Sequence, residues 1–232
     1  MTKLFPNGSL VLAAGSAAGC LVALRVNMIQ IPATVAVEIR EAASAARPAA
    51  VAADPGESPG PAPLVRAIEA ARNANAVIII IPGYGMALAH AQFEVVQVAN
   101  RLKQMGKQVK FAIHPLAGRM PGHMNVLLAE AEVDSDMLFD LPEINAEFQA
   151  ADLALVVGAC DVVNPAAIHV EGTPISGMPI LAAYEAKQVL VCNLDDQPGY
   201  SGVPNPLYTD PKTILMLGDA KTTLNQLLQA LH

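Results

Sequence analysis

Tryptophan is absent from the 232 residues, cysteine occurs three times and histidine five times, and only 14 lysines and arginines stand against 21 acidic residues. Each shortage removes a class of function. With a formal net charge of -7 and no basic stripe, the chain is not built to bind nucleic acid non-specifically. Cys20, Cys160 and Cys192 have no metal-like spacing and cannot all pair with one another, so a reduced, cytosolic setting is the simplest reading. The histidines are scattered, which leaves metal binding without support. No catalytic triad can be assembled. Ser176 and Ser201 lack an activating motif, and Cys160, next to Asp161, lacks the cationic neighbours that make a thiol nucleophilic. Such a chain suits a domain that positions a cofactor and leaves the chemistry to it.

A long apolar run is also missing. Leu10 to Leu24 is uncharged and rich in Ala and Gly, but as a helix it spans roughly 22 Å, short of the ~30 Å hydrocarbon core of a bilayer. Three readings of it stay open, in this order: a buried or interfacial helix, the end of a membrane segment, a cleaved signal. Val26 to Ile39 reads as a strand or as a helix interrupted by Pro32, and Arg40 to Ala53 has helical propensity. Asp54 to Pro63 (DPGESPGPAP) is the clearest linker, and it divides an N-terminal apolar segment, 1–60, from a domain over 61–232.

Apolar residues themselves are plentiful: 53% of the chain is hydrophobic and 15% charged. The stretch from Ala76 to Leu88, AVIIIIPGYGMAL, organises the rest. Its continuous apolar run predicts a parallel strand buried on both faces. Ala87, Ala91, Val95, Val98, Leu102 and Met105 then form one helical stripe. Gly83 and Gly85 fall in the turn between them, where a dinucleotide pyrophosphate needs close backbone approach. Leu88 replaces the third small residue of that fingerprint, so the turn by itself fits a nucleotide site or an ordinary strand-to-helix connection.

The alternation continues. Strands are predicted at Gln108 to Ile113, Leu153 to Gly158, Val189 to Cys192 and Thr213 to Leu217. Helices are predicted at Leu64 to Arg72, Met124 to Ala131, Glu143 to Ala151 and Ala220 to Leu231, with Gly106 closing the first long one. The pattern predicts an α/β fold with a doubly wound parallel sheet, whose ligands lie outside the carboxyl ends of the strands. Two loops there carry candidate chemistry. Asp161 follows an apolar strand, as a functional carboxylate or as an Asx-turn or cap before Asn164 and Pro165. Arg119, between His114 and His123, is a phosphate ligand or a solvated charge.

Taken in order, GYGMALAHAQ from Gly83, IHPLAGRMPGHMNVLLAEA from Ile113, GACDVVNPAA from Gly158, SGMP from Ser176, GYSGVPNPLY from Gly199 and LGDAK from Leu217 resemble the NADP(H)-binding domain III of the proton-translocating NAD(P) transhydrogenase beta subunit. The resemblance covers about Leu64 to His232. It implies a Rossmann-like domain holding NADP(H) in a flipped orientation, with hydride passing directly to or from NAD(H) on a partner domain. No protein acid, base or nucleophile takes part in that transfer. It further implies an NAD(H)-binding alpha subunit or domain I as partner, a membrane domain II, a homodimeric complex, and a place on the cytoplasmic face of the inner (plasma) membrane for a domain soluble by itself.

By the same resemblance Gly83, Tyr84, Gly85 and Met86 face the cofactor, and Leu116, Ala117, Gly118, Arg119, Met120 and Pro121 wrap it, with Arg119 near phosphate. Gly158, Ala159, Cys160, Asp161 and Val162 cross beside it, and Gly177, Met178, Asp219 and Ala220 complete the pocket. Asn193, Leu194, Asp195, Asp196, Gly199 and Tyr200 belong to a lid. Asp161 matches the aspartate that couples cofactor state to proton translocation. Two departures stand out. Cys160 replaces the asparagine of a GAND loop, which puts one polar contact in question. Asn193, Leu194, Asp195 and Asp196 align with a KRSM pattern whose Lys and Arg pair with the 2'-phosphate, so two cations are lost and two carboxylates gained. NAD(H) is therefore the alternative cofactor, unless Arg119, Lys187 or Lys212 supplies the missing charge. Other readings are a nucleotide-sensing or scaffold module that kept the fold, and an independent dehydrogenase, for which no substrate acid or base is found.

Overall fold

The computed structural model describes residues 63–74 and 77–232. The expectations placed on Leu10 to Leu24, Val26 to Ile39 and Arg40 to Ala53, and most of the linker, lie outside the described residues. Within the described part, six strands form one sheet: β1 Val77–Pro82, β2 Gln108–Ile113, β3 Leu138–Asp140, β4 Leu153–Val157, β5 Gln188–Asn193 and β6 Thr213–Leu217. The order is β3-β2-β1-β4-β5-β6 and every pairing is parallel. The fold is the Rossmann-like doubly wound sheet that the sequence pattern predicts.

Isoleucines dominate β1 because it is the centre of the sheet and neither face meets water. Alternate residues sort onto the two faces. Ile78 and Ile80 join Val109, Phe111, Leu155, Leu190 and Ile214 in one core layer. Ile79 and Ile81 join Ala112, Ala154, Val156, Val189 and Val191 in the other. Pro82 ends β1 without harm to the ladder: pairing with β2 stops at Ile80 opposite Phe111, while pairing with β4 runs on to Val157.

The first layer is covered by α-helices: α1 Pro63–Asn73, α2 Tyr84–Leu88, α3 Gln92–Gln104, α4 His123–Glu130 and, last in the chain, α7 Ala220–Leu231. The second is covered mostly by the single turn α5 Leu141–Ile144 and by 3-10 segments, while α6 Ala166–His169 packs with Ile175, Ile180 and Val203 in a small separate cluster. Among the described residues no helix is long and apolar enough to cross a membrane.

Two local expectations differ from what is found, and one strand is found where none is predicted. The stripe from Ala87 to Met105 predicts one helix, yet it is interrupted between α2 and α3, where His90 takes φ 51° and the Ala91 N–H bonds back to Met86 O. The stripe residues Ala91, Val95, Val98 and Leu102 stay buried across the break. Glu143 to Ala151 is helical only as α5 followed by a 3-10 segment from Asn145 to Ala150, at a point where the Asn145 amide bridges Ile180 O and the Ala182 N–H. Strand β3, three residues long, carries too little periodicity to be read in advance.

Candidate functional site

The chain turns outward from β1 to β2 on one side and reaches β4 on the other, so β1 and β4 flank the point where the strand order reverses. Loops leaving their carboxyl ends lock together there. The Gly83 N–H donates to Val157 O and the Gly85 N–H to Gly158 O, both at 2.8 Å. A Cβ on Gly83 would lie 2.6 Å from Ala159 Cα, one on Gly85 2.8 Å from Gly158 Cα, and one on Gly158 2.6 Å from Gly85 Cα. The glycines that resemble a pyrophosphate cradle are thus required first by contact between two protein loops. Met86 is fully buried in the α-helical core layer, so its side chain supports the loop from below.

Above this junction, Tyr84 opens α2 with its ring under the Arg119 guanidinium, 5.1 Å from carbon to centroid. The Tyr84 hydroxyl is buried and has no hydrogen-bond partner. An unpaired buried hydroxyl is costly in a closed structure, and it is carried by the ring over which the exposed guanidinium lies. Leu116, Arg119, Met120 and Pro121 are exposed on the same loop, whereas Ala117 packs inward. Gly118 takes φ 101° and leaves no room for a Cβ against His123, whose Nδ1 accepts the Arg119 N–H at 3.2 Å.

His114 is a fastening of this loop and not a titrating ligand. It is 2% exposed; Nδ1 accepts the Leu116 N–H at 3.1 Å and Nε2 donates to Pro179 O at 2.8 Å. Burial lowers its pKa from 6.5, with the Pro179 bond opposing. The fold therefore holds the neutral form, and the unfolded chain takes up the proton first as pH falls. Stability is then complete above about pH 6.5 and declines below it. Urea unfolding at pH 7.5 and 5.5 should show that loss in the natural chain and a smaller one in His114→Gln; equal slopes in the two proteins would refute the assignment.

Asp161 is neither a helix cap nor an Asx-turn. Its carboxylate reaches forty residues along the chain and accepts the Ser201 N–H at 2.9 Å and the Ser201 hydroxyl at 2.6 Å, with Gly199 close against it. Asn164, fully buried, donates through Nδ2 to Val203 O and Pro204 O, both at 3.3 Å, and accepts the Ala166 N–H at 3.0 Å. The Asn205 amide donates to Cys160 O at 3.1 Å. The loop after β5 is in this way laid down on the loop after β4. Ser201, Asn164, Asn205 and Tyr208 were not singled out from the sequence as site residues; only the density of Asn and Pro around them hints at a structured loop.

The sequence-predicted lid divides in two. Asn193 is the buried last residue of β5, its amide donating to Ala159 O at 2.9 Å and to the Tyr208 hydroxyl at 2.7 Å. Leu194, Asp195, Asp196 and Tyr200 are exposed, and Gly199 is held under Asp161. Burial raises the Tyr208 phenol, and the neighbouring Cys160 adds to the rise. Cys160 and Cys192 are free thiols, and full burial pushes Cys192 up to about 12.

Gly177 and Met178 lie in the connection before β5, which His114 ties to the β2 loop through Pro179. Asp219 caps α7 by accepting the Thr222 N–H at 3.0 Å, and Ala220 is buried beneath it. Lys187 and Lys212 do not reach this edge: each directly precedes a strand, Lys187 pairs with Asp152 at 2.7 Å, and Lys212 donates to Tyr184 O. An open groove of about 400 Å³ lined by Arg66, Glu69, Asn73, Asp152, Lys187 and Gln188 also lies at that amino-terminal edge, away from the loops.

Comparison with known proteins accords with this arrangement. The family model of the NAD(P) transhydrogenase beta subunit matches residues 61–230. The NAD(P) transhydrogenase subunit beta of Rhodospirillum rubrum is 52% identical over 161 residues, which is 69% of this chain and 34% of the relative, and a second sequence of that subunit, from strain ATCC 11170, gives the same figures. The chain spans about a third of the length of these curated relatives. A solved structure from Mycobacterium smegmatis, described as a thiamin diphosphate-dependent enzyme, covers 77% of this chain and is itself covered to 31%, at 16% identity and a TM-score of 0.42, a likeness that carries no argument. With matches of this extent to the family model and to its curated members, the chain belongs to the NAD(P) transhydrogenase beta subunit family.

Proposed function

We propose that residues 63–232 bind a nicotinamide dinucleotide at the carboxyl edge of the sheet and present its nicotinamide for direct hydride exchange with a second dinucleotide on a partner domain. The observation that carries this reading is the convergence at one strand-order reversal of the Tyr84, Arg119 and Asp161 loops in a chain of this family. The residues present fit an anionic dinucleotide: Tyr84, with an orphaned buried hydroxyl, lies at the head of the β1 turn with the exposed Arg119 guanidinium over its ring. When bound, the dinucleotide supplies the hydride chemistry itself. Tyr84 and Arg119 orient it, the loop from Gly199 to Asn205 closes over it, and Asp161 sets the position of that loop. The resemblance makes the dinucleotide NADP(H), the partner an NAD(H)-binding alpha subunit or domain I, and the setting a homodimeric proton-translocating complex at the cytoplasmic face of the inner membrane, with Asp161 reporting cofactor state.

Reconstitution with an NAD(H)-binding domain of the family tests this. Hydride exchange between the two nucleotides is the expected result; no exchange, with nucleotide bound to both domains, would count against it. The latch makes a second expectation. Asp161→Asn loses a partly solvated charge-assisted bond, about 1 kcal/mol. It should speed amide exchange at Ser201 and weaken nucleotide binding several-fold while the unfolding midpoint barely moves. Unchanged exchange and affinity would remove Asp161 from the site.

A further inference from the structure

We infer that this domain discriminates against a 2'-phosphate and takes the unphosphorylated dinucleotide, NAD(H), with Asp195 and Asp196 as the specificity-determining residues. The inference rests on the dinucleotide reading above and replaces the NADP(H) that the resemblance implies with NAD(H). A phosphate dianion on the adenosine ribose needs cations at the edge where the dinucleotide lies, and a ribose diol needs an acceptor.

Among the described residues the topology separates most cations from that edge. Lys107, Lys187 and Lys212 each lie at the start of a strand, on the far side of the sheet. Arg101 is taken up by Leu231 O at the end of α7, and Lys110 by Glu147. In the loops that follow β1, β2, β4 and β6, in residues 194–205 after β5, and in the first turn of α7, the charged residues are Arg119 and Lys221 against Asp161, Asp195, Asp196 and Asp219. Lys221 is paired with Glu94 at 3.2 Å, which leaves the exposed Arg119 over the Tyr84 ring, already assigned to orienting the dinucleotide, as the one unpaired cation among these loops.

The acidic groups differ in availability. Asp161 is spent on Ser201 and Asp219 on the cap of α7. Asp195 and Asp196 are exposed directly after β5, each using one oxygen on Gln197: Asp195 Oδ1 accepts its backbone N–H at 3.1 Å and Asp196 Oδ1 its side-chain amide at 3.0 Å. Those bonds fix the two carboxylates beside the site, where they repel an added dianion and can accept from a ribose hydroxyl. The excess of negative charge holds for the whole edge, so the conclusion does not depend on which way round the dinucleotide lies.

The test is a parallel titration of the full chain with NADH and NADPH, followed by nucleotide fluorescence, which the lack of tryptophan leaves free of interference. NADH should bind about tenfold tighter or more, and the triple variant Leu194→Arg, Asp195→Asn, Asp196→Asn should close that gap by a further factor of about ten. All three positions are exposed, Leu194 by 74%, and circular dichroism checks that the variant is folded. Tighter binding of NADPH, or an NADH to NADPH ratio that the triple variant leaves unchanged, overturns the specificity inference alone and leaves the dinucleotide reading in place. Binding of neither nucleotide overturns both.

Discussion

Gly158→Ala is expected to destabilise the domain by about 4 kcal/mol and to abolish nucleotide binding with it. Two effects add at this position. Gly158 takes φ 65°, a left-handed conformation that costs a side-chain-bearing residue about 1 kcal/mol or more. Its Cβ would also run into the Met86 N–H and come within 2.6 Å of Gly85, so the backbone of one loop must move. Movement breaks the Gly85 N–H bond to Gly158 O and separates the loops that carry Tyr84 and Asp161. Gly106→Ala is the control, because Gly106 has φ 82° with nothing within 4 Å of the added methyl. Urea unfolding should show a loss of about 1 kcal/mol there. Equal losses at the two positions would mean that the interlock between the β1 and β4 loops contributes nothing.

Asn164→Ala is expected to cost about 3 kcal/mol and to release the segment from Val203 to Asn205. The side chain has no exposure and serves three backbone groups: Nδ2 donates to Val203 O and Pro204 O, and Oδ1 accepts the Ala166 N–H. Truncation leaves all three without this partner, Val203 O and the Ala166 N–H in a buried place and Pro204 O in a partly buried one. Asn164→Asp separates the two halves of this role. The carboxylate can still accept from Ala166, but it turns an acceptor toward two carbonyls and buries a charge. If the tie to the β5 loop matters, Asp will be no better than Ala in stability, in protease resistance around Pro204, and in nucleotide affinity. Rescue by Asp would reduce Asn164 to a local turn.

Several parts of the domain were legible in residue order because they are written in short-range periodicity. The isoleucine run of β1, the strands β2 and β6, and the helix α7 need only a local pattern of apolar residues to declare which face is buried. Gly106 ends α3 by its backbone freedom, again a local property. The break at His90 was hidden because its cause is not local: Gly85 is held on Gly158, seventy residues away, and a stripe that keeps its phase across the break gives no sign of it.

The candidate site shows the same division. Loop composition and family resemblance pointed to Tyr84, Arg119, Asp161 and the segment after β5, and the strand order gathers those loops on one edge. The partners of each residue were not readable. Asp161 read as a functional carboxylate or a cap, and its side chain ties Ser201; Asn193 looked like a lid residue and is a buried brace under Ala159; Lys187 and Lys212 looked like spare cations for a phosphate and stand at the opposite edge. By itself the sequence determined the fold class, the position of the central strand and the set of loops gathered at the carboxyl edge of the sheet, since hydrophobic burial imposes a period that residue order records. Which side chains touch, and which charges share an edge, was decided only by the tertiary structure, because those contacts join residues 34 or more apart and depend on strand order, which no local pattern encodes.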